Sequence, residues 1–199
     1  MTQIVDRDDA VRLLRAGEVV AVPTDTVYGV AASLAHGDAV ASLFLLKDRP
    51  SGVPLPILLH ALSPLQEVDV EWSARAQRLS EEFWPGPLTI VVPASHELAL
   101  TLGGTVDTAG LRVPDDELLL SVLRECGPLA VSSANTHGHE PCHSAPEVLH
   151  ALAGEHLAGV LDGGERRSAV STVVEVSETS WRVLREGAIS VARIADALD

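Results

Sequence analysis

The sequence predicts an α/β fold in which an open, twisted, mixed sheet is flanked by helices. Helical and strand patterns alternate along the chain, which favours layers of helices on a sheet. The composition is 46% hydrophobic but only 3% aromatic, so the core must consist mainly of Val, Leu, Ile and Ala, as is typical of buried strands. With 199 residues and no repeat or linker, we expect residues 1–199 to form a single domain.

The first half of the chain alternates helices with apolar strands. The first predicted helix, at 7–17, has Asp6 as its N-cap and Gly17 as its end, which are favoured residue types at those positions. The further elements predicted here are a strand at 18–23, a helix at 37–47, a strand at 55–61, a helix at 73–84 and a strand at 88–94.

The second half continues this alternation and adds a hairpin near its end. The elements predicted here are strands at 109–114, 128–133 and 157–162, helices at 115–127 and 144–154, a hairpin of 171–177 with 181–187, and a closing helix at 190–198. Polar and glycine-rich segments follow several strand ends, where open α/β sheets usually bind ligands.

Charge and cysteine content limit the possible function classes. The formal net charge of −14 opposes sequence-independent attachment to RNA or anionic lipid. Cys126 and Cys142 are too few for a disulfide framework, and the charged first 17 residues lack a signal-peptide core. Since no uncharged apolar stretch reaches the roughly 18 residues needed to span a bilayer, we expect a cytoplasmic protein without membrane partners.

The segment from Val22 to Leu34 combines small hydroxyl side chains with the only tyrosine of the chain, Tyr28. Thr24 and Thr26 occupy alternate positions, so in an extended backbone they face the same side and could hydrogen-bond a small polar ligand. A turn closed by the Asp25 side chain, with a tyrosine that only packs, would use the same residue types. Both interpretations stay open at this point.

Cationic residues occur at two positions that favour an anionic ligand. Lys47 and Arg49 end a predicted helix before Pro50; they could complement the helix dipole or bind polyphosphate or carboxylate. Arg112 lies in an apolar predicted strand and therefore needs an anionic partner. That partner could be a structural aspartate or the carboxylate of a ligand.

Two later loops carry further polar residues. Ser133 and Asn135 follow a strand and could bind phosphate oxygens or form local caps, while Ser171 and Arg185 belong either to a surface hairpin or to the roof of a ligand site. A group of four potential ligands matches no usual zinc spacing, so no metal site is expected there. Its members are His137, His139, Cys142 and His143.

Eight segments in order carry a resemblance to a known family: PTDTVYGV, LKDRP with PL, WPGPLTIVV, LRVP, SSAN, DGG, STVV and LREGAI. With these segments the chain resembles the YrdC-like family of threonylcarbamoyl-AMP synthases, in its short single-domain form. The resemblance implies an α/β sheet with a large concave cavity. It also implies a nucleotidyltransferase that converts L-threonine, bicarbonate and ATP, with Mg²⁺, into threonylcarbamoyl-AMP and pyrophosphate, for a transferase that modifies tRNA.

The resemblance also implies roles for individual residues. Lys47 and Arg49 would be catalytic, through electrostatic stabilisation of the triphosphate. The threonine-binding residues would be Thr26, Arg112 and Ser171. The ATP-binding residues would be Lys47, Arg49, Thr108, Ser133, Asn135 and Arg185.

Several departures from the family pattern, among them altered loops at 135–141 and 166–172, leave alternatives open. Val53 stands where relatives often have a polar or basic residue, and Leu58 stands where some have a histidine, with His60 two positions later. A paralogue that uses a different carbamoyl-adenylate substrate is one alternative. An RNA- or ribosome-associated binding protein is the other, and the charge of −14 predicts at most weak RNA binding.

Overall fold

One sheet organises the computed structural model, which describes residues 2–47, 52–136, 139–152 and 156–199. Within these ranges it has ten strands: β1 Gln3–Val5, β2 Val19–Val22, β3 Gly29–Ser33, β4 Ile57–Leu58, β5 Leu88–Pro93, β6 Thr108–Arg112, β7 Leu129–Ser133, β8 Leu157–Leu161, β9 Thr172–Val176 and β10 Trp181–Arg185. Their order is β1-β8-β2-β3-β7-β4-β6-β5-β9-β10. The sheet contains both parallel pairs, such as β4–β6, and antiparallel pairs, such as β5–β6, which confirms the predicted mixed sheet.

Helices pack against this sheet and against one another. In the described ranges they are α1 Arg7–Arg15, α2 Gly37–Lys47, α3 Ala74–Phe83, α4 His96–Thr101, α5 Glu117–Cys126, α6 Ala145–Leu152 and α7 Val191–Leu198, with a 3₁₀ helix at Ser63–Glu67. The core between the layers is mainly Val, Leu, Ile and Ala, as the composition predicts. No helix in this described part of the chain combines the length and the apolar character needed to cross a membrane.

The predicted helix boundaries agree with the capping contacts. The Asp6 carboxylate accepts a hydrogen bond from the Asp9 N–H at 2.9 Å, and Gly17 follows α1 with a φ of +81°, a conformation that glycine adopts at little cost. Asp116 caps α5 in the same way, through the Leu119 N–H at 2.9 Å. Local sequence chemistry therefore determines where these helices begin and end.

Besides the 3₁₀ helix at Ser63–Glu67, three elements in the structure are not predicted from the sequence, and the strand predicted at 55–61 is much shorter. The strands β1 and β3 and the helix α4 are additional; β3 consists of small residues, which do not give a strong strand pattern. The strand predicted at 55–61 is reduced to Ile57–Leu58 in β4. Pro54 and Pro56 precede it, and proline cannot donate to a strand ladder.

The strand register lines up one residue from each of five adjacent strands: Leu58, Arg112, Thr89, Val173 and Arg185. The pair Ile90↔Leu111 in β5 and β6 places Thr89 opposite Arg112 one step further along. Residues opposite each other in neighbouring strands project to the same face of the sheet. This row brings side chains that are far apart in sequence to one place.

Candidate active site

A cavity of about 220 Å³ lies at this row. Its polar lining consists of Thr24, Thr26, Tyr28, Thr89, Arg112, Ser132, Ser133, Ser171 and Arg185. Its apolar lining includes Val27, Pro56, Leu58, Val131, Pro141 and Val170. The cavity therefore offers two guanidinium groups and several hydroxyls beside an apolar wall, which suits a small anionic ligand that also carries an apolar part.

The turn after β2 is closed by Thr24 rather than by Asp25. The Thr24 hydroxyl donates to the Val27 carbonyl at 2.7 Å and accepts from the Thr26 N–H at 3.1 Å. It also lies 3.0 Å from the Thr26 hydroxyl. The two threonines lie on one side and both line the cavity, as their spacing predicts, and Thr24 also closes the turn.

Tyr28 connects the cavity to the loop that follows β8. Its ring lines the cavity, and its hydroxyl accepts from the Gly163 N–H at 3.0 Å and donates to the Gly164 carbonyl at 2.9 Å. Burial is the main cause of the raised pKa of this phenol. Because the hydroxyl is used by the loop, Tyr28 shapes the cavity wall and anchors the segment that leads to Ser171.

Replacing Tyr28 with phenylalanine is expected to lower the free energy of unfolding by about 1–2 kcal/mol, since the Gly163 N–H loses its acceptor. Urea unfolding of Tyr28→Phe beside the unchanged chain measures this loss. A midpoint identical to that of the unchanged chain would show that the loop does not depend on the phenol.

Arg112 is buried and has three protein partners. It donates from Nε to the Gly86 carbonyl at 2.9 Å, from Nη2 to the Asp25 carboxylate at 2.5 Å and from Nη1 to the Thr26 hydroxyl at 3.4 Å. A structural aspartate is therefore present, as one of the two interpretations requires. Arg112 nevertheless lines the cavity, so the ligand interpretation is compatible with the same geometry.

Arg185 approaches the cavity from β10. Its Nη2 donates to the Ser171 carbonyl at 2.8 Å and to the Ser171 hydroxyl at 3.2 Å. Burial, and after it the positive charge of Arg112, lower the pKa of Arg185. Among the residues that the structure describes, no carboxylate lies within ion-pair distance of Arg185. An anionic ligand would therefore relieve the repulsion between the two guanidinium groups.

Lys47 is the only lysine in the chain and ends α2 with its side chain buried. Its ammonium donates to the Ser133 carbonyl, to the Ser133 hydroxyl at 3.2 Å and to the Asn135 side-chain oxygen at 2.7 Å. Since Ser133 also lines the cavity, these three predicted residues form one cluster at its edge.

The structure does not place every predicted residue at the cavity. Thr108 lies at the opposite end of β6 from Arg112 and lines a separate pocket with Glu175 and Trp181; its ATP-binding role stays a prediction without support from this position. Arg49 lies outside the described residues. Val53 is exposed and Leu58 lines the cavity.

Sequence reasoning missed Thr89 and the Asp25–Arg112 ion pair. Thr89 is a hydroxyl residue within the otherwise apolar segment LTIVV, and that contrast is the signal that could have identified it. Asp25 is 87 positions from Arg112, so their pairing is not apparent in a single sequence.

The described histidines near 140 contact other protein groups. His139 Nδ1 lies 3.0 Å from the Thr136 hydroxyl, and His143 Nδ1 lies 2.5 Å from the Arg166 carbonyl. Burial raises the pKa of Cys142, which disfavours the thiolate that metals bind. His137 lies outside the described residues, and no three His, Cys, Asp or Glu side chains converge as a metal site in the part of the chain that is described.

The chain is similar to known proteins over most of its length. The family model for Sua5, YciO and YrdC proteins, described as "Telomere recombination", matches residues 12–187. A Bacillus subtilis threonylcarbamoyl-AMP synthase is 37% identical over 93% of this chain and 54% of its own length. A Photobacterium profundum protein of the same name is 34% identical over 89% of this chain and 96% of its own length.

The fold is also similar to that of a solved structure. The structure titled as Pyrococcus abyssi Sua5 complexed with L-threonine superimposes with a TM-score of 0.90 at 32% identity. The match covers 99% of this chain but 60% of that one, so the chain spans little more than half of the length of the Pyrococcus and Bacillus relatives. With a family model that matches most of its length and relatives this similar, the chain belongs to the Sua5/YciO/YrdC family.

Proposed function

We propose that the protein is an L-threonylcarbamoyladenylate synthase, which converts L-threonine, bicarbonate and ATP into threonylcarbamoyl-AMP and pyrophosphate. The observation that carries this proposal is the convergence of Arg112, Arg185 and Thr26 in one cavity, with Lys47 bonded to its edge. The relatives named as threonylcarbamoyl-AMP synthases and the Pyrococcus structure with L-threonine support the same activity.

Threonine would lie between Arg112, Thr26 and Ser171. Arg112 is buried and fixed by Asp25 and the Gly86 carbonyl, so its guanidinium needs little reorganisation when it pairs with the amino-acid carboxylate. The apolar wall of Val27, Pro56 and Leu58 would accept the threonine methyl group.

ATP would contact the cluster of Lys47, Ser133 and Asn135 beside β7 and Arg185 in β10, at the other end of the cavity. The three N–H groups of the Lys47 ammonium already have oxygen acceptors, so a phosphate oxygen would take the place of one of them as the triphosphate binds. Its charge, with that of Arg49, would stabilise the negative charge that develops as pyrophosphate leaves.

The chemistry needs no enzyme nucleophile. The threonine amine attacks bicarbonate, water is lost, and an N-carboxylate forms. An oxygen of this carbamate then attacks the α-phosphorus of ATP, and the bond to the pyrophosphate oxygen breaks. The residues of the cavity bind and orient the reacting groups, and such positioning supplies most of the rate in reactions of this kind.

Mg²⁺ would accompany the ATP phosphates. The described lining of the cavity contains hydroxyls and guanidinium groups but no Asp or Glu, and Asp25 is engaged by Arg112. This set of residues fits an ion held mainly by phosphate oxygens and water, as Mg²⁺ commonly is. When bound, the ion would neutralise charge on the triphosphate.

The product is a reactive mixed anhydride, so a transferase that carries the threonylcarbamoyl group to tRNA would be its consumer. Direct RNA binding would be weak, because the formal net charge of −14 repels a polyanion. RNA titrations at low and moderate salt measure this contribution, whose affinity must fall as salt rises.

Pyrophosphate release measures the proposed activity directly. Incubation of the pure protein with ATP, bicarbonate, Mg²⁺ and L-threonine is expected to release pyrophosphate at a rate that falls to background without L-threonine. Matched reactions with L-serine and L-valine report amino-acid selectivity, since each differs from threonine by one small group. Release that does not depend on any amino acid would contradict the proposal.

A further inference from the structure

Thr89 is a buried cavity residue to which the family resemblance assigns no role. It lies in β5, lines the cavity and is 6% exposed. Its hydroxyl lies 3.1 Å from the hydroxyl of Ser171, which is 7% exposed. Two buried hydroxyl groups therefore form a pair at the point where β5 meets the loop that follows β8.

The hydrogen atoms of this pair do not all have acceptors. Each hydroxyl has one donor hydrogen, so the pair has two. The contact between Thr89 and Ser171 uses one of these two hydrogens. The Ser171 oxygen also accepts from Arg185 Nη2 at 3.2 Å. Whichever hydroxyl donates to the other, one O–H remains without an acceptor among the described residues, and buried donors of this kind normally have a partner.

The free O–H lies beside the groups that would hold the amino acid. The register places Thr89 opposite Arg112, and the Cβ atoms of such opposite residues are roughly 5 Å apart. A guanidinium has five N–H donors, and Arg112 uses three of them on Gly86, Thr26 and Asp25. A carboxylate bound there can accept the remaining N–H groups and still has lone pairs for a hydroxyl.

We infer that Thr89 is a positioning residue for the amino-acid substrate: together with Ser171 it directs one O–H to the substrate carboxylate that Arg112 binds. This inference rests on the proposed function. Removal of the Thr89 hydroxyl leaves Ser171 without its partner, so the remaining hydrogen is free to rotate away from the carboxylate. Arg185, which is proposed to bind ATP, contacts Ser171 through an arginine N–H and does not use this hydrogen, so the defect is expected to be specific for the amino acid.

Equilibrium binding of L-threonine and of ATP, measured separately by calorimetry, tests this inference. Thr89→Val keeps the β-branched shape and is expected to weaken L-threonine binding roughly 10- to 100-fold, the usual effect of losing a hydrogen bond to a charged group, with ATP affinity within twofold. Thr89→Ser is expected to restore most of the loss. Thr101→Val, on α4 and outside the cavity, is the matched control for the substitution itself.

The binding measurements separate a failure of this inference from a failure of the proposed function. Wild-type affinity for L-threonine in Thr89→Val, or an equal loss for ATP, overturns the inference. If Thr89→Val does not fold, as judged by its thermal transition, Thr89→Ala and Thr89→Ser are compared in the same way. Failure of the unchanged chain to bind L-threonine counts against the proposed function instead.

A second amino acid identifies the group that receives the O–H. L-2-aminobutyrate has the carboxylate of threonine but lacks its side-chain hydroxyl. A donor to the carboxylate predicts the same factor of loss for both amino acids in Thr89→Val. A loss confined to L-threonine would show that the pair binds the side-chain hydroxyl, which overturns the carboxylate assignment.

Discussion

Arg112→Ala is expected to eliminate measurable L-threonine binding and to destabilise the protein at the same time. The substitution removes the carboxylate partner proposed for the substrate, and it leaves Asp25 unpaired. The side chains of this ion pair are only 7% and 12% exposed, and breaking a buried pair typically costs about 3–5 kcal/mol. Urea unfolding and calorimetry with L-threonine measure the two effects separately.

The double variant Asp25→Asn with Arg112→Ala separates structure from binding. Removal of both charges eliminates the unpaired carboxylate, so the free energy of unfolding is expected to recover by more than half. Threonine binding is not expected to recover. If binding returns together with stability, Arg112 has only a structural role, and the carboxylate of the substrate must pair with another group.

Two roles of Arg112, the ion pair with Asp25 and the proposed pairing with a ligand, explain why an arginine occurs in an apolar strand. Asp25 and the Gly86 carbonyl fix one side of the guanidinium, and the other side remains available at the cavity. The two interpretations of Arg112 that the sequence leaves open are therefore compatible. A structural carboxylate holds the group that a ligand carboxylate would use.

Much of the fold was predictable because its signals are local. Helix α1 begins at the cap Asp6 and ends before Gly17, and the hairpin of β9 and β10 follows the alternation of its residues. The strand β3 could not be recognised, since GVAAS has neither bulk nor alternation. It becomes a strand because β2 and β7 provide partners on both sides.

The sequence predicts several residues that line the cavity, but not the contacts that they make. Hydroxyl and cationic residues at strand ends identified Thr26, Ser133 and Arg185, all of which line the cavity. Thr108 was assigned to the same site although it lies at the other end of β6 from Arg112, since a motif does not state which end of a strand faces the ligand. Strand register supplies that information, and it arises only when distant segments pair.

Lys47→Ala is expected to reduce the rate of threonine-dependent pyrophosphate release about 10²- to 10³-fold, the range typical of losing one preorganised electrostatic contact in a transition state. Threonine affinity is expected to change less than twofold, because Lys47 contacts Ser133 and Asn135 rather than Arg112 or Thr26. Quenched-flow measurement of pyrophosphate, with calorimetry for L-threonine, separates the two quantities.

Lys47→Arg tests whether the reaction needs the compact ammonium group with its contacts or only a positive charge at this position. The ammonium is enclosed by a backbone carbonyl, a hydroxyl and an amide oxygen, and the planar, larger guanidinium does not fit that arrangement, so the arginine variant is expected to remain as slow as the alanine variant. Arg124→Ala, an exposed position in α5, controls for the loss of one positive charge. If the arginine variant regains the full rate, positive potential alone is sufficient and the contacts of Lys47 with Ser133 and Asn135 are not required for the reaction.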